Sequence, residues 1–264
     1  MFSVSRINYG SFRVKRFLLW VVILFMFLLP VGVFAKSVDY LAILRDIDEL
    51  RSFDKADFSA VLTMISEDPE KGVEKKVVQM FRRDRDDKFL MLIKEPEVQR
   101  GQGYLKVGKN MWFYDPESRK FSHISLKENF AGTDAKNSDF GKSSLAEDYD
   151  VISHSEGKLG RFDVYILELK AKNNEVTYPY MKVWVTKKPH LVLKVENYSL
   201  NKRLLRVSYY PKYARVGNSY IATRMIFIDS LVKNKRTQIT LTDLSVEKLP
   251  NYVFTKSYVE RVNR

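Results

Sequence analysis

The chain of 264 residues contains no cysteine. That removes disulfides, thiolate metal sites and a lipid-modified cysteine at a processing site. Stability must come from an ordinary hydrophobic core. Only three histidines occur, His123, His154 and His190, on or beside three separate predicted strands. No His-x-His pair and no Glu-x-x-His helix motif offers a metal site. Also absent are a Gly-x-Ser-x-Gly elbow, a phosphate-binding Gly-rich loop and a dinucleotide fingerprint. The carboxylate clusters at 84–87 and 147–150 are mixed with bases or sit at strand ends, as solvated turns do. Catalysis therefore has no positive support, and neither cofactor nor metal is expected.

The first 35 residues carry no acid. Arg6, Arg13, Lys15 and Arg16 precede an unbroken apolar run from Phe17 to Leu29, then Pro30, Gly32 and Val33-Phe34-Ala35. Basic, apolar and small-residue segments in that order form a secretory signal peptide. Cleavage between Ala35 and Lys36 would leave a mature chain of 36–264. The alternative is an uncleaved inner-membrane anchor, since the 18 residues from Phe17 to Phe34 just span a bilayer.

The formal net charge is +13, or +9 without the leader's four basic residues. Such a balance in a cytosolic protein would raise nucleic acid as a partner; an exported chain meets little of it, and none is expected here. Anionic lipid headgroups, an acidic protein surface or plain solubility remain as readings of the charge.

From Ser37 the pattern is helical. Leu41, Leu44, Ile47 and Leu50 recur at three-residue spacing, with Ser37 or Asp39 as N-cap. The period then changes to two over 57–65, and strand-like runs follow at 73–82, 88–94, 103–107, 111–115, 121–126, 149–155, 161–170, 180–186, 191–200, 204–213, 219–229 and 236–243. Turn residues separate them, among them Asp115-Pro116 and Gly217-Asn218. Consecutive short strands without intervening helices predict one antiparallel meander. Segment 127–148 departs from this rhythm: it is rich in Gly, Asn, Ser and Asp, with one helical turn at 143–147, and has the length of a lid or binding loop.

Fifteen Tyr and seventeen Phe, many on strands with apolar residues on both faces, fit either a large β core or a ligand cavity on one face. Trp112 and Tyr114 share one face of their strand, Met111 and Phe113 the other. Which pair faces inward stays open.

The ordered motifs "DFSAVLTM" (57–64), "VVQMFRRDRDDKFLMLIKEP" (77–96), "GYLKVGKNMWFYDPESRKFSHI" (103–124) and the ending "DLSVEKLPNYVFTKSYVERV" (243–262) resemble the LolA/LolB-type lipoprotein carriers and receptors. The segment "GTDAKNSDFGKSSLAEDYDV" (132–151) is similar to the Ser-Asp-Phe signature of the broader lipoprotein-sorting group, though Gly-Lys follows it here instead of an aromatic.

The resemblance implies an incomplete antiparallel β-barrel of about eleven strands round a hydrophobic cavity, with helices as lid. It implies a monomeric periplasmic carrier of acylated lipoprotein or lipid, working between an inner-membrane releasing complex and an outer-membrane acceptor. The alternatives are a lipid- or glycolipid-binding accessory protein of a membrane exporter and a surface-adhesion β-domain that binds no lipid. It further implies a basic lid latch at Arg83, with Arg82 one register away, and places Asp139 and Phe140 in the lid loop. Strand alternation adds candidate cavity-wall residues: Phe58, Leu62, Met80, Leu90, Leu92, Leu105, Ile166, Val183, Val195, Tyr209, Ile226 and Ile228, with Trp112, Phe113 and Tyr114 from the aromatic strand.

Overall fold

The computed structural model describes residues 38–262, so the leader expected at 1–35 lies outside the described residues. A compact unit begins at Asp39. Its first element is helix α1 (Tyr40–Leu50), which starts where the Asp39 carboxylate accepts a hydrogen bond from the Ala42 amide at 3.0 Å, the ordinary role of an N-cap aspartate. Ile43, Leu44 and Ile47 form its buried stripe. Leu41, expected in that stripe, is exposed and Leu50 half-buried, because a strict three-residue spacing drifts away from a face that repeats every 3.6 residues.

Thirteen strands follow: β1 (Phe58–Asp68), β2 (Gly72–Arg83), β3 (Lys88–Glu95), β4 (Gly103–Val107), β5 (Asn110–Asp115), β6 (Lys120–His123), β7 (Tyr149–Leu159), β8 (Phe162–Ala171), β9 (Tyr180–Thr186), β10 (Val192–Tyr198), β11 (Leu204–Val216), β12 (Ser219–Asp229) and β13 (Arg236–Ser245). Two short helices, α2 (Leu145–Asp148) and α3 (Lys256–Arg261), complete the set. All strands join one antiparallel sheet in the order β6-β5-β4-β3-β2-β1-β13-β12-β11-β10-β9-β8-β7. The fold is the antiparallel meander that the strand pattern predicts and the mainly β, incomplete barrel that the resemblance implies. It has thirteen strands where the family resemblance implied about eleven, because every strand-like run finds a partner.

Two hairpin series meet in the middle of the sheet, where β1 pairs with β13. The edges are therefore β6 and β7, adjacent in sequence and at opposite ends of the sheet. Segment 124–148 runs from one edge to the other.

The inner face carries two clusters. Phe58, Leu62, Met80, Phe89, Met91 and Met111 pack with Phe130 and Phe140 of the connecting segment. Leu167, Leu169, Val183 and Val195 pack with Ile43, Leu44 and Ile47 of α1. A third cluster, on the outer face, places Leu90, Leu92, Leu105 and Tyr114 under Val253, Phe254 and Val259 of the C-terminal segment. Gly103 lets that segment approach closely, since a Cβ there would lie 2.7 Å from Val259.

Arg83, only 2% exposed, fixes the same segment. It donates to both Asp57 carboxylate oxygens (2.9 and 2.8 Å), to the Leu249 carbonyl (2.5 Å) and to Asn251 Oδ1 (2.6 Å), with the Phe254 ring 4.8 Å away. Burial opposes the Asp57 charge, but hydrogen bonds from Arg83, the Leu249 amide and Arg85 outweigh it and bring the carboxyl down from 3.8 to about 2. A group with a depressed folded-state pKa stabilises above its unfolded value and loses that contribution as pH falls through the folded one. Asp57 therefore contributes acid sensitivity between about pH 4 and 2. Substitution of Asp57 by Asn leaves Arg83 buried without its counter-charge and should cost about 3–5 kcal/mol. Urea unfolding at pH 7 and pH 3 checks this, and the gap between variant and parent should narrow at the lower pH.

Candidate functional site

Between the inner face and its cover lies a cavity of about 1100 Å³. Its apolar wall is formed by Met181, Val183, Val192, Val195, Met225 and Phe227 on β9, β10 and β12. Arg45 and Asp48 of α1 and Arg51 just after it line one side, and residues 124–127, 138–139 and 141–148 line another. Thus the sheet supplies a greasy wall while the cover brings polar and charged groups to the rim.

The cover is held at discrete points. The Asp48 carboxylate accepts from Ser143 Oγ (2.6 Å) and from the Leu145 and Ala146 amides (3.0 and 2.9 Å), so an α1 side chain satisfies the otherwise orphaned donors at the start of α2. Ser138 and Thr177 hydroxyls pair at 2.8 Å. Asp139 accepts a fork from Arg206 on β11, with Nη1 at 2.6 Å and Nη2 at 2.9 Å. Burial works against the Arg206 charge, and the adjacent Asp139 carboxylate more than restores it, raising the guanidinium's pKa. The same guanidinium lies 4.6 Å from the Phe227 ring and 5.1 Å from the Tyr178 ring.

Of the wall residues predicted from alternation, Val183 and Val195 line the open cavity. Phe58, Leu62, Met80 and Phe140 sit in the adjoining inner core, with Phe113 packed against it. The aromatic strand is thereby resolved: Met111 and Phe113 point inward, Trp112 and Tyr114 outward. Leu90, Leu92 and Leu105, expected on the wall, face outward with Tyr114 and Trp112, because the C-terminal segment buries this half of the outer face as completely as the inner one. Ile166, Tyr209, Ile226 and Ile228 also point outward, opposite in parity to Leu167, Met225, Phe227 and Tyr210. Tyr209 lies instead beside Lys194 (5.8 Å to its ring).

The expected latch also lands elsewhere. Arg83 does donate to a backbone carbonyl, but of Leu249, in the C-terminal segment rather than the 127–148 loop. Arg82 pairs with Asp84 at 2.6 Å and reaches the Arg51 carbonyl at the end of α1 at 3.4 Å. The charged tie to the loop is made by Arg206, which the sequence reading did not single out. Its alternation is inverted: Leu205, Val207 and Tyr209 turn outward, while Arg206 and Tyr210 face the cavity. Only the partner, an acid in a long polar loop, hinted at it. The histidines are dispersed, with His123 accepting from Trp112, His154 stacked on Tyr40 and His190 beside Asp46. No cluster fit for a metal occurs among the described residues.

The model of a DUF1329-like family, described as an uncharacterized protein, matches residues 85–261. The chain belongs to this family. Its architecture is that of the LolA superfamily. It is 25% identical to a LolA superfamily protein from Nitrosomonas europaea, over 84% of this chain and 100% of that one, with a TM-score of 0.72. A domain from Vibrio parahaemolyticus named for outer membrane lipoprotein sorting is 22% identical over 84% of this chain and 98% of its own, TM-score 0.75. A DUF1329 family protein from Desulfovibrio piger is 22% identical over 83% and 97%, TM-score 0.74. A search of the curated proteins finds no match.

Within this LolA-like frame α2 is too short to persist alone, so its order depends on Asp48. Replacing Asp48 by Ala should destabilise the turn by about 1 kcal/mol, the usual value of a helix cap. The Leu145 and Ala146 amides would then exchange with deuterium roughly fivefold faster, while amides of β1 and β13 keep their protection.

Proposed function

We propose that this DUF1329-like protein is a periplasmic carrier that takes acyl chains of a lipoprotein or lipid into its cavity and moves them between membranes. No bond is made or broken. The observation that carries this reading is the cavity of about 1100 Å³, kept open by a sheet that does not close and covered by elements tied down at a few polar points. That volume is at the upper end for small-ligand sites, and its deep wall is aliphatic and thioether. Each methylene moved from water to such a wall gains about 0.8 kcal/mol. A carrier must nevertheless release its cargo. Here closing the cover and admitting an acyl chain draw on the same apolar surface, so one displaces the other.

The likeness to a LolA superfamily protein supports the reading. It further calls for a releasing complex at the inner membrane and an acceptor at the outer one. An exporter accessory protein would use the same cavity for a free lipid or glycolipid, and an adhesion domain would leave it empty.

The mature chain holds two tryptophans, Trp112 and Trp184, both on the outer face, the latter under Lys194 at 4.2 Å. Long-chain fatty acids brominated in the tail should therefore quench the native protein weakly and a Met225→Trp variant strongly and saturably. Equal, non-saturable quenching of both would mean that the chain does not enter the cavity.

A further inference from the structure

The wall behind the cavity is not uniformly apolar. Asn197 on β10 lies directly opposite Arg206 on β11, and both line the cavity. Asn197 is 1% exposed, yet neither its side-chain oxygen nor its nitrogen has a hydrogen-bond partner among the described residues. Arg206, 6% exposed, spends its two terminal nitrogens on Asp139 and on the Asp134 carbonyl at 3.1 Å, and its Nε is likewise unpartnered. A buried amide and a guanidinium edge left without partners are costly to keep. A site that serves only aliphatic tails would have apolar residues here.

We infer that these two residues form a headgroup site, at which the anionic end of an amphiphile is held while its tail lies along Val183, Val192 and Val195. Asn197 and Arg206 Nε supply two donors converging from adjacent strands, and the guanidinium supplies the charge, its planar fork being suited to either a carboxylate or a phosphate. Asp139 occupies the other edge of that fork, from the loop that covers the cavity. An arriving anion, like Asp139, offers negatively charged acceptor oxygens to the guanidinium and exchanges with that carboxylate. Seating the headgroup therefore unties the cover, and its departure lets Asp139 return. This inference rests on the carrier reading and adds to it the polarity of the cargo and the residue pair through which the loop senses it.

The test uses the mature protein, freed of lipid, and three probes with one tail: dodecanoate, dodecyl phosphate and dodecanol, with inorganic phosphate as the tail-free arm. Both anions should bind about tenfold or more tightly than dodecanol, the size of one hydrogen bond to a charged group; the tighter of the two names the headgroup. Dodecanoate or dodecyl phosphate, but not dodecanol, should speed amide exchange at 136–142. An Asn197→Leu variant should abolish most of the preference while its thermal midpoint stays level or rises, since an apolar group of similar shape removes two unsatisfied atoms. Equal affinities for anions and alcohol, a preference that survives Asn197→Leu, or unfolding of that variant would overturn the assignment, the last by making Asn197 structural. Phosphate binding as tightly as dodecyl phosphate would also overturn it. Failure of all three tailed probes to bind would sink the carrier reading itself, whereas indiscriminate binding of all three sinks only the headgroup site.

Discussion

A thirteen-stranded sheet that stops short of closure has an inner face it cannot bury by itself, and α1 and the loop between the edge strands answer that constraint. In a closed barrel the last strands pair and the interior fills with side chains. Here the edges are β6 and β7, and the chain between them becomes the cover. α1 buries one end of the inner face with Ile43, Leu44 and Ile47; the loop buries the other with Phe130 and Phe140. The cavity is what remains between these two plugs.

Two buried arginines, Arg83 and Arg206, tie different segments to the sheet. Around Arg83 all partners come from the scaffold and the C-terminal segment: Asp57, Leu249 and Asn251. This cluster joins the start of β1 to the end of the chain and leaves α3 locked on the outer face. Around Arg206 the partner is a loop carboxylate, and part of the guanidinium stays uncommitted. The same residue type is thus fully engaged in one place and, in the other, keeps its Nε free for the exchange proposed above. What separates them is the Nε, which donates to Asp57 in Arg83 and has no partner in Arg206.

Strand positions were readable because Gly, Asn and Pro punctuate a period of two; the runs at 103–107, 180–186 and 219–229 coincide with β4, β9 and β12. Facing was not. In β3 all five residues from Phe89 to Ile93 are buried, so alternation carries no sign there, and the cause, a C-terminal segment of short turns and one six-residue helix far along the chain, is too irregular to announce itself. On β11 and β12 the outer face is open, yet Tyr209 and Ile226 sit on it. Their apolar character therefore pointed the wrong way. The aromatic strand 110–115 combines both difficulties, and only the placement of the C-terminal segment decides that Trp112 and Tyr114 turn outward. Asn197 and Arg206 were hidden for a related reason: a polar residue on a strand reads as solvent-facing unless the ladder is known.

Everything proposed for the cavity turns on its occupancy by acyl chains. The most direct measurement is native mass spectrometry of the mature protein taken from the exported fraction, with no detergent at any step. A mass increment that matches an acylated species, and that disappears when the cavity is filled by a Val183→Trp substitution, is the predicted result. Protein of bare polypeptide mass in repeated preparations, unchanged on exposure to long-chain lipid, would contradict it.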